Sequence, residues 1–342
     1  MKVAIIGDLH FGVRGNSIKH LEFQSKWFND TIKFIKNAKI NYVVFLGDIF
    51  DSRNSISPII NSNVRLLFQK LAKNVKEVHC VLGNHDIYFR NKKDIHSLEV
   101  LADQGVKVYT TPQEVKIGNL KCLMVPWVIK TEQEDVSKLL VNNYYDICFG
   151  HLEINTFEKV KNVREQEGFE RELFSNCKKV ISGHFHLKRQ IDNILYVGTP
   201  YELTWNDYQD EKGIHVVDDN LEVTFHASEN TPKHIVISNK IFSLDELTKD
   251  KIHNNIIKVS FEQNLSEVDK INYIEKINSF EPLMFTVVED DNTFLDTNGE
   301  MEADIKDTLG FLFEYLNIID IPDNLNKKKL MEKIEEVHKK II

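Results

Sequence analysis

The sequence is poor in what marks a thiolate-based, membrane-bound or polyanion-coating protein. Among its 342 residues are four cysteines, Cys80, Cys122, Cys148 and Cys177, and none stands in a C-x-x-C spacing. Cys80 and Cys148 fall inside apolar strand-like runs, as small buried thiols of a reducing compartment do. No apolar stretch approaches the roughly 20 residues that span a bilayer. No secretory leader is read, because strand-like Lys2–Ile6 runs straight into a polar motif. There is no low-complexity tract and no basic excess. The formal net charge of −9 argues against a general polyanion binder. It leaves nucleic acid open, since bound dications would reverse the sign locally. A cytoplasmic protein with no membrane attachment is expected, long enough for two domains.

Against these absences one pattern stands out. Five apolar runs end in glycine and then at once in Asp, Asn or His. They are Ile5-Ile6-Gly7-Asp8-Leu9-His10, Phe45-Leu46-Gly47-Asp48, Val81-Leu82-Gly83-Asn84-His85-Asp86, Cys148-Phe149-Gly150-His151 and Ile181-Ser182-Gly183-His184-Phe185-His186. Each reads as a buried strand that stops at a tight turn. In open α/β sheets the ligand crevice lies at the carboxyl ends of the strands, so five parts of the chain can deliver polar side chains to one place.

The intervening segments support an α/β arrangement. Ser17 to Lys36 carries Leu21, Phe28, Ile32 and Ile35 at helical spacing, and Ser57-Pro58 opens a second helix with Ile60, Val64, Leu67, Phe68 and Leu71 on one face. Strand, helix and strand in alternation predict a largely parallel sheet covered on both faces. Shorter strands are expected at Val106–Tyr109, Val115–Ile117 and Leu120–Val125, the last ended by Pro126-Trp127. Gly213–Val217 and Leu221–His226 read as a hairpin closing the first domain. The expected domains are 1–230, an α+β module at 231–290, and a linker with two amphipathic helices at 291–342. Those helices carry Ile305, Leu309, Leu312, Phe313 and Leu316, then Leu330, Ile334, Val337 and Ile341.

Seven candidate ligands, Asp8, His10, Asp48, Asn84, His151, His184 and His186, are too many for one first-row ion. Carboxylate, amide oxygen and imidazole together suit manganese, iron or zinc and not a structural thiolate site. Two ions sharing a bridging carboxylate fit better. Such a pair, about 3.5–4 Å apart, clamps the attacking and leaving oxygens of a displacement at phosphorus.

In this order the motifs resemble the calcineurin-like metallophosphoesterase superfamily. Gly7-Asp8-Leu9-His10-Phe11-Gly12, Gly47-Asp48-Ile49-Phe50-Asp51 and Val197-Gly198-Thr199-Pro200 resemble the SbcD / Mre-eleven DNA repair nucleases, and the length is that of the T-even-type phage members. The motifs cover roughly residues 1–205; beyond about 234 the likeness is one of domain order. The resemblance implies a sheet sandwich flanked by helices, with a small α+β capping domain and C-terminal helices. It implies a two-manganese centre, with iron or magnesium as alternatives. Asp8, His10 and His186 would hold one ion, Asn84, His151 and His184 the other, and Asp48 would bridge them.

His85 matches the family histidine that contacts the phosphate and protonates the leaving alkoxide, a role open to a free imidazole near neutral pH. The implied activity is that of a double-strand exonuclease and single-strand endonuclease hydrolysing phosphodiesters with metal-activated water. The implied partners are DNA, a second copy through helix Ser57–Lys73, and an SbcC / Rad-fifty-type ATPase docked by the C-terminal helices. For a phage-encoded chain the compartment would be the host cytoplasm.

Around this set stand weaker candidates. Asp51 occupies the place where archaeal and eukaryotic members tend to have a second histidine. Arg53 and Arg189 could meet a phosphate or only solvent. Asp86 could orient His85 or only stabilise a turn. Tyr201, Trp205 and Tyr208 could stack on bases, though packing is the plainer role. Lys327-Lys328-Lys329 reads as a solvated helix start. The ligands alone also suit a phosphatase or a cyclic-nucleotide phosphodiesterase, and a non-cutting tether of DNA to the ATPase is a further alternative.

Overall fold

Each of the five junction strands is apolar on both faces because helices cover one side of its sheet and a second sheet covers the other. The computed structural model describes residues 1–288, save 161–162, 166–167, 241 and 262–264, together with residue 333. Met1–Val288 forms one compact unit.

The first sheet contains β1 (Lys2–Ile6), β2 (Tyr42–Phe45), β3 (Glu77–Val81) and β4 (Val106–Tyr109), all parallel. The second is built on β6 (Leu120–Val125) and β7 (Tyr145–His151), with the hairpin strand β5 (Gln113–Ile117) at one edge and the small separate pair β8 (Glu158–Val160) and β9 (Val163–Arg164) following. It continues through β10 (Cys177–Gly183), β11 (Arg189–Ile191) and β12 (Ile194–Tyr196), giving the order β11-β12-β10-β7-β6-β5. The hairpin β13 (Gly213–Asp218) and β14 (Val223–Ala227) returns to the first sheet, where β13 pairs antiparallel with β1.

The bare alternation of elements predicted one parallel sheet; the chain makes two of six strands each, as the family resemblance implied. Alternation within β1 shows how. Val3 and Ile5 pack between the sheets with Val44, Met124, Phe149 and Ile181. Ala4 and Ile6 turn outward to Phe28 and Phe68 on the helices α1 (Ile18–Asn37) and α2 (Pro58–Ala72). The far face of the second sheet is covered in part by α3 (Gln133–Asn142), a helix the periodicity did not reveal because it buries only Val136 and Leu140. Ser57 caps α2, its Oγ accepting from Ile60 N–H at 3.4 Å, a contact of the kind worth about 1 kcal/mol.

Residues 234–288 carry a three-stranded parallel sheet, β15 (His234–Ser238), β16 (Ile256–Ser260) and β17 (Met284–Val288), crossed by α4 (Glu267–Ser279). It has its own core of Ile237, Ile257, Val259, Tyr273 and Ile277. Its first strand is tied to the sandwich by Glu202, whose Oε2 accepts from His234 N–H at 2.7 Å. The expected linker, the helices at 301–342 and the Lys327–Lys329 run lie outside the described residues.

Candidate metal centre

The carboxyl ends of β1, β2, β3, β7 and β10 meet at one edge of the sandwich, and the two sheets are joined there by their loops. Leu9 N–H and His10 N–H both donate to the Asp48 carbonyl at 3.0 Å, and Phe11 N–H donates to Ile49 O at 2.8 Å. His151 Nδ1 donates to the Leu46 carbonyl at 2.6 Å, crossing from the second sheet to the first. All seven candidate ligands are brought together.

Asp8, His10 and His186 each offer an atom within 4.8 Å of the others, and so do Asp8, Asp48 and His151. Asn84 Oδ1 stands 2.8 Å from His151 Nε2 and 3.0 Å from His184 Nδ1. Because His151 Nδ1 is fixed as a donor, its Nε2 in the neutral ring carries a lone pair aimed at an amide oxygen. Such convergence of lone pairs suits a cation between them. Both ring nitrogens of His10 and Nε2 of His184 are buried without a hydrogen bond. The donor set therefore fits divalent ions.

Asp48 lies between the two groups. Its Oδ2 is 3.4 Å from His151 Nε2 and 3.7 Å from His10 Nε2, while Oδ1 accepts from His85 N–H at 2.8 Å. Glycine is required where these carboxylates pass. A Cβ on Gly83 would lie 2.1 Å from Asp48 Oδ1, and one on Gly183 would lie 2.5 Å from Asp8 Oδ1. Three of the candidate ligands, His10, Asp48 and His184, hold positive φ angles of 47°, 49° and 85°. Non-glycine residues rarely adopt that region, and it is found where a site demands it.

The electrostatics follow from two buried carboxylates side by side. Burial and the Asp48 charge push Asp8 up to about 7 against the pull of His151. Burial would lower His10 and His151, but Asp51 and Asp48 outweigh it for His10 and Asp48 for His151, and both rise to about 9. Burial takes His186 down to about 3 and also lowers His184. The carboxylates thus draw positive charge to this edge. Ligation needs ionised carboxylates and neutral imidazoles, so a bound dication replaces those protons.

The remaining candidates have distinct places. His85 Nδ1 donates to the Asp51 carbonyl at 2.6 Å, and the His85 and His10 rings are 4.9 Å apart, edge to face. The Asp51 side chain stands 3.3 Å from His10 Nδ1. Asp86 is buried and clamps the β2 and β3 loops together. Its Oδ1 accepts from Ile49 and Phe50 N–H at 3.1 and 3.2 Å, and its Oδ2 from Gly83 N–H at 3.0 Å. Arg53 is half-buried on the loop after Asp51. Arg189 is engaged by Glu158 at 2.8 Å and Asp210 at 3.2 Å.

For Tyr201 the plainer role, packing, is the one the structure shows. Tyr201 cannot stack on a base: it is wholly buried, donates to the Leu9 carbonyl at 2.6 Å and accepts from Gln24 Nε2 at 3.0 Å. Trp205 is half-buried, its ring 4.7 Å from that of His234. The sequence reading missed Trp127, whose ring lies 5.0 Å from that of His184. The signal was present, since Pro126-Trp127 ends β6 as the glycine motifs end its neighbours. It also missed Asp207 and Lys212, which lie behind His186.

Comparison with known proteins agrees with this geometry. Over 330 residues the chain is 28% identical to exonuclease subunit 1 of Enterobacteria phage T4, with 95% of each chain covered. Over 306 residues it is 22% identical to the DNA double-strand break repair protein Mre11 of Nanoarchaeum equitans, covering 80% of this chain and 81% of that one. Residues 1–188, which hold all five junctions and all seven candidate ligands, match the calcineurin-like phosphoesterase family. With its ligand types gathered at one sandwich edge and more than half its length matched, the chain belongs to the calcineurin-like phosphoesterase family and is a metal-dependent phosphodiesterase.

Proposed function

We propose that the chain is a two-metal DNA nuclease. Asp8, His10 and His186 would hold one ion, Asn84, His151 and His184 the other, with Asp48 shared. The observation that carries this reading is the place of Asp48 Oδ2, between His10 of one set and His151 of the other. Two bound dications would supply Lewis acidity at phosphorus and a water of lowered pKa. Manganese is the proposed metal.

The residues of the chain do the rest. Asp51 O fixes the His85 ring through Nδ1, so Nε2 carries a proton for the departing 3′ oxygen in the doubly protonated ring, which becomes the neutral Nδ1–H form once that proton is given. Asp48 Oδ1 holds the His85 backbone, so the shared carboxylate and the proton donor are placed together. Asp86 keeps their two loops in register.

DNA is favoured over a small ester by the loop that follows. Tyr88 and Phe89, three and four residues after His85, are exposed as an edge-to-face pair 4.8 Å apart, with Arg90 and Lys92 exposed beside them. Aromatic faces next to cations are what single strands and frayed ends stack on. The named relatives, an exonuclease subunit and a break-repair protein, support the same substrate. The proposed activities are double-strand exonuclease and single-strand endonuclease.

The proposed assembly is a homodimer bound to an SbcC / Rad-fifty-type ATPase in the cytoplasm. Helix α2 exposes Ile59 and Leu66, a face open to a second copy. Residues 301–342 would bind the ATPase; co-purification with and without them tests this. No helix among the described residues is long and apolar enough to cross a membrane.

The deciding experiment compares manganese-loaded protein on linear duplex DNA and on bis-p-nitrophenyl phosphate. Turnover of the small ester alone would leave a phosphatase or cyclic-nucleotide phosphodiesterase. No turnover of either, even with the ATPase, DNA and ATP present, would leave a non-catalytic tether.

A further inference from the structure

We infer that Asp207 and Lys212 are positioning residues for His186, and through it for the ion that Asp8, His10 and His186 would hold. Lys212 is almost wholly buried, and its ammonium has three donors. All three are used: on the His186 carbonyl at 2.6 Å, on Asp207 Oδ1 at 2.8 Å and on Asp210 Oδ2 at 3.2 Å. Asp207 is wholly buried too. Its Oδ2 accepts from Leu203 N–H at 3.0 Å, Thr204 N–H at 2.8 Å and Thr204 Oγ1 at 3.1 Å. That same oxygen lies 4.0 Å from His186 Nδ1.

His186 is thus gripped at its carbonyl by Lys212, and the carboxylate that Lys212 holds faces the Nδ1 side of its ring at 4.0 Å, a charge contact and not a hydrogen bond. Nε2 is the nitrogen left for the ion. A carboxylate on that side of a ligand imidazole favours the Nδ1–H tautomer electrostatically. The network continues outward: Asp210 also accepts from Lys188 N–H at 3.3 Å and Arg189 Nη1 at 3.2 Å. Stability alone does not account for such a pair, because well-packed apolar residues in place of a buried ion pair are often as stable or more so. The ligand it touches supplies a reason.

This rests on the two-ion reading and is tested by metal binding, not by cleavage. Manganese is titrated calorimetrically into the full chain, the Asp207→Asn and Lys212→Met variants and the double variant. The double variant removes both charges together and leaves neither unpaired. Two sites are expected in the unaltered chain. In the folded variants one of the two should weaken about 10–100-fold, with the other within about twofold. A folded double variant that binds both ions normally, or loses both alike, overturns the inference. Independently of any variant, ¹⁵N spectra of the zinc-loaded chain should show His186 protonated at Nδ1; an Nδ1-bound ion overturns it. An unaltered chain that binds no manganese would instead sink the metal-centre reading itself.

Discussion

His85 Nδ1 donates to the Asp51 carbonyl at 2.6 Å, so the backbone of the β2 loop sets the ring of the β3 loop. The contact depends on a carbonyl that every residue type carries. Asp51→Ala should therefore keep the His85 orientation and lose only the side-chain contact with His10. His85→Ala should retain two manganese ions and cut duplex DNA about 10²–10⁴-fold more slowly. Metal analysis beside single-turnover cleavage separates the two effects; loss of manganese in the His85 variant would remove the proton-donor role.

The exposed Tyr88–Phe89 pair offers a way to tell substrate contact from chemistry. Replacing both with alanine should weaken binding of single-stranded DNA by about 1–3 kcal/mol per lost stack. Hydrolysis of bis-p-nitrophenyl phosphate should stay within about twofold. Equal losses on both substrates would place the pair in the folding of the loop instead.

Gly183→Ala should do damage out of proportion to one methyl group. Its Cβ would fall 2.5 Å from Asp8 Oδ1 and 2.8 Å from the Leu46 carbonyl. Overpacking of this kind costs about 1–3 kcal/mol, and here the atom that must yield is a proposed ligand. The expected result is a lowered urea midpoint together with a weaker manganese isotherm. A variant with native metal affinity would show that the loop has slack the distances do not suggest.

Stability should fall on mild acidification through histidines remote from the metal edge. Burial holds His79 and His215 down to about 4, well under the usual 6.5. Between those values the unfolded chain takes up protons that the folded chain refuses. The stabilisation is complete above about pH 6.5 and is lost as pH falls towards 4. The slope is at most roughly 1.4 kcal/mol per pH unit for each group. Urea midpoints at pH 7.5 and 5.5 measure it, and His79→Gln should flatten the difference; an unchanged slope would exclude His79 as its source.

The sequence was most readable where the chain is buried on both sides. Val3–Ile6 and Val43–Leu46 are continuous apolar runs because each strand lies between helices and a second sheet, and glycine marks where each run ends. Ser57-Pro58 announced its helix for a local reason, a side-chain cap followed by a fixed φ. The division into two sheets was not readable from periodicity, since β3 and β7 carry the same kind of run and differ only in their neighbours. The Asp207–Lys212 pair was hidden for a related reason. Asn206-Asp207-Tyr208-Gln209-Asp210-Glu211-Lys212 looks like a solvated loop, and its burial depends on a carbonyl 26 residues earlier.

The close approach at Gly83 has a consequence for how such motifs should be read. The space that any other residue's Cβ would fill there is taken by the carboxylate and the backbone nitrogen of Asp48, 35 positions earlier in the chain. The glycine is less a hinge than an imprint: it records at the end of one strand the outline of a residue at the end of another. Gly83, closing its strand, is then a long-range contact written as a local letter. Shortening Asp48 would not rescue a larger residue at Gly83, because the Asp48 backbone nitrogen also stands 2.3 Å from the place of its Cβ.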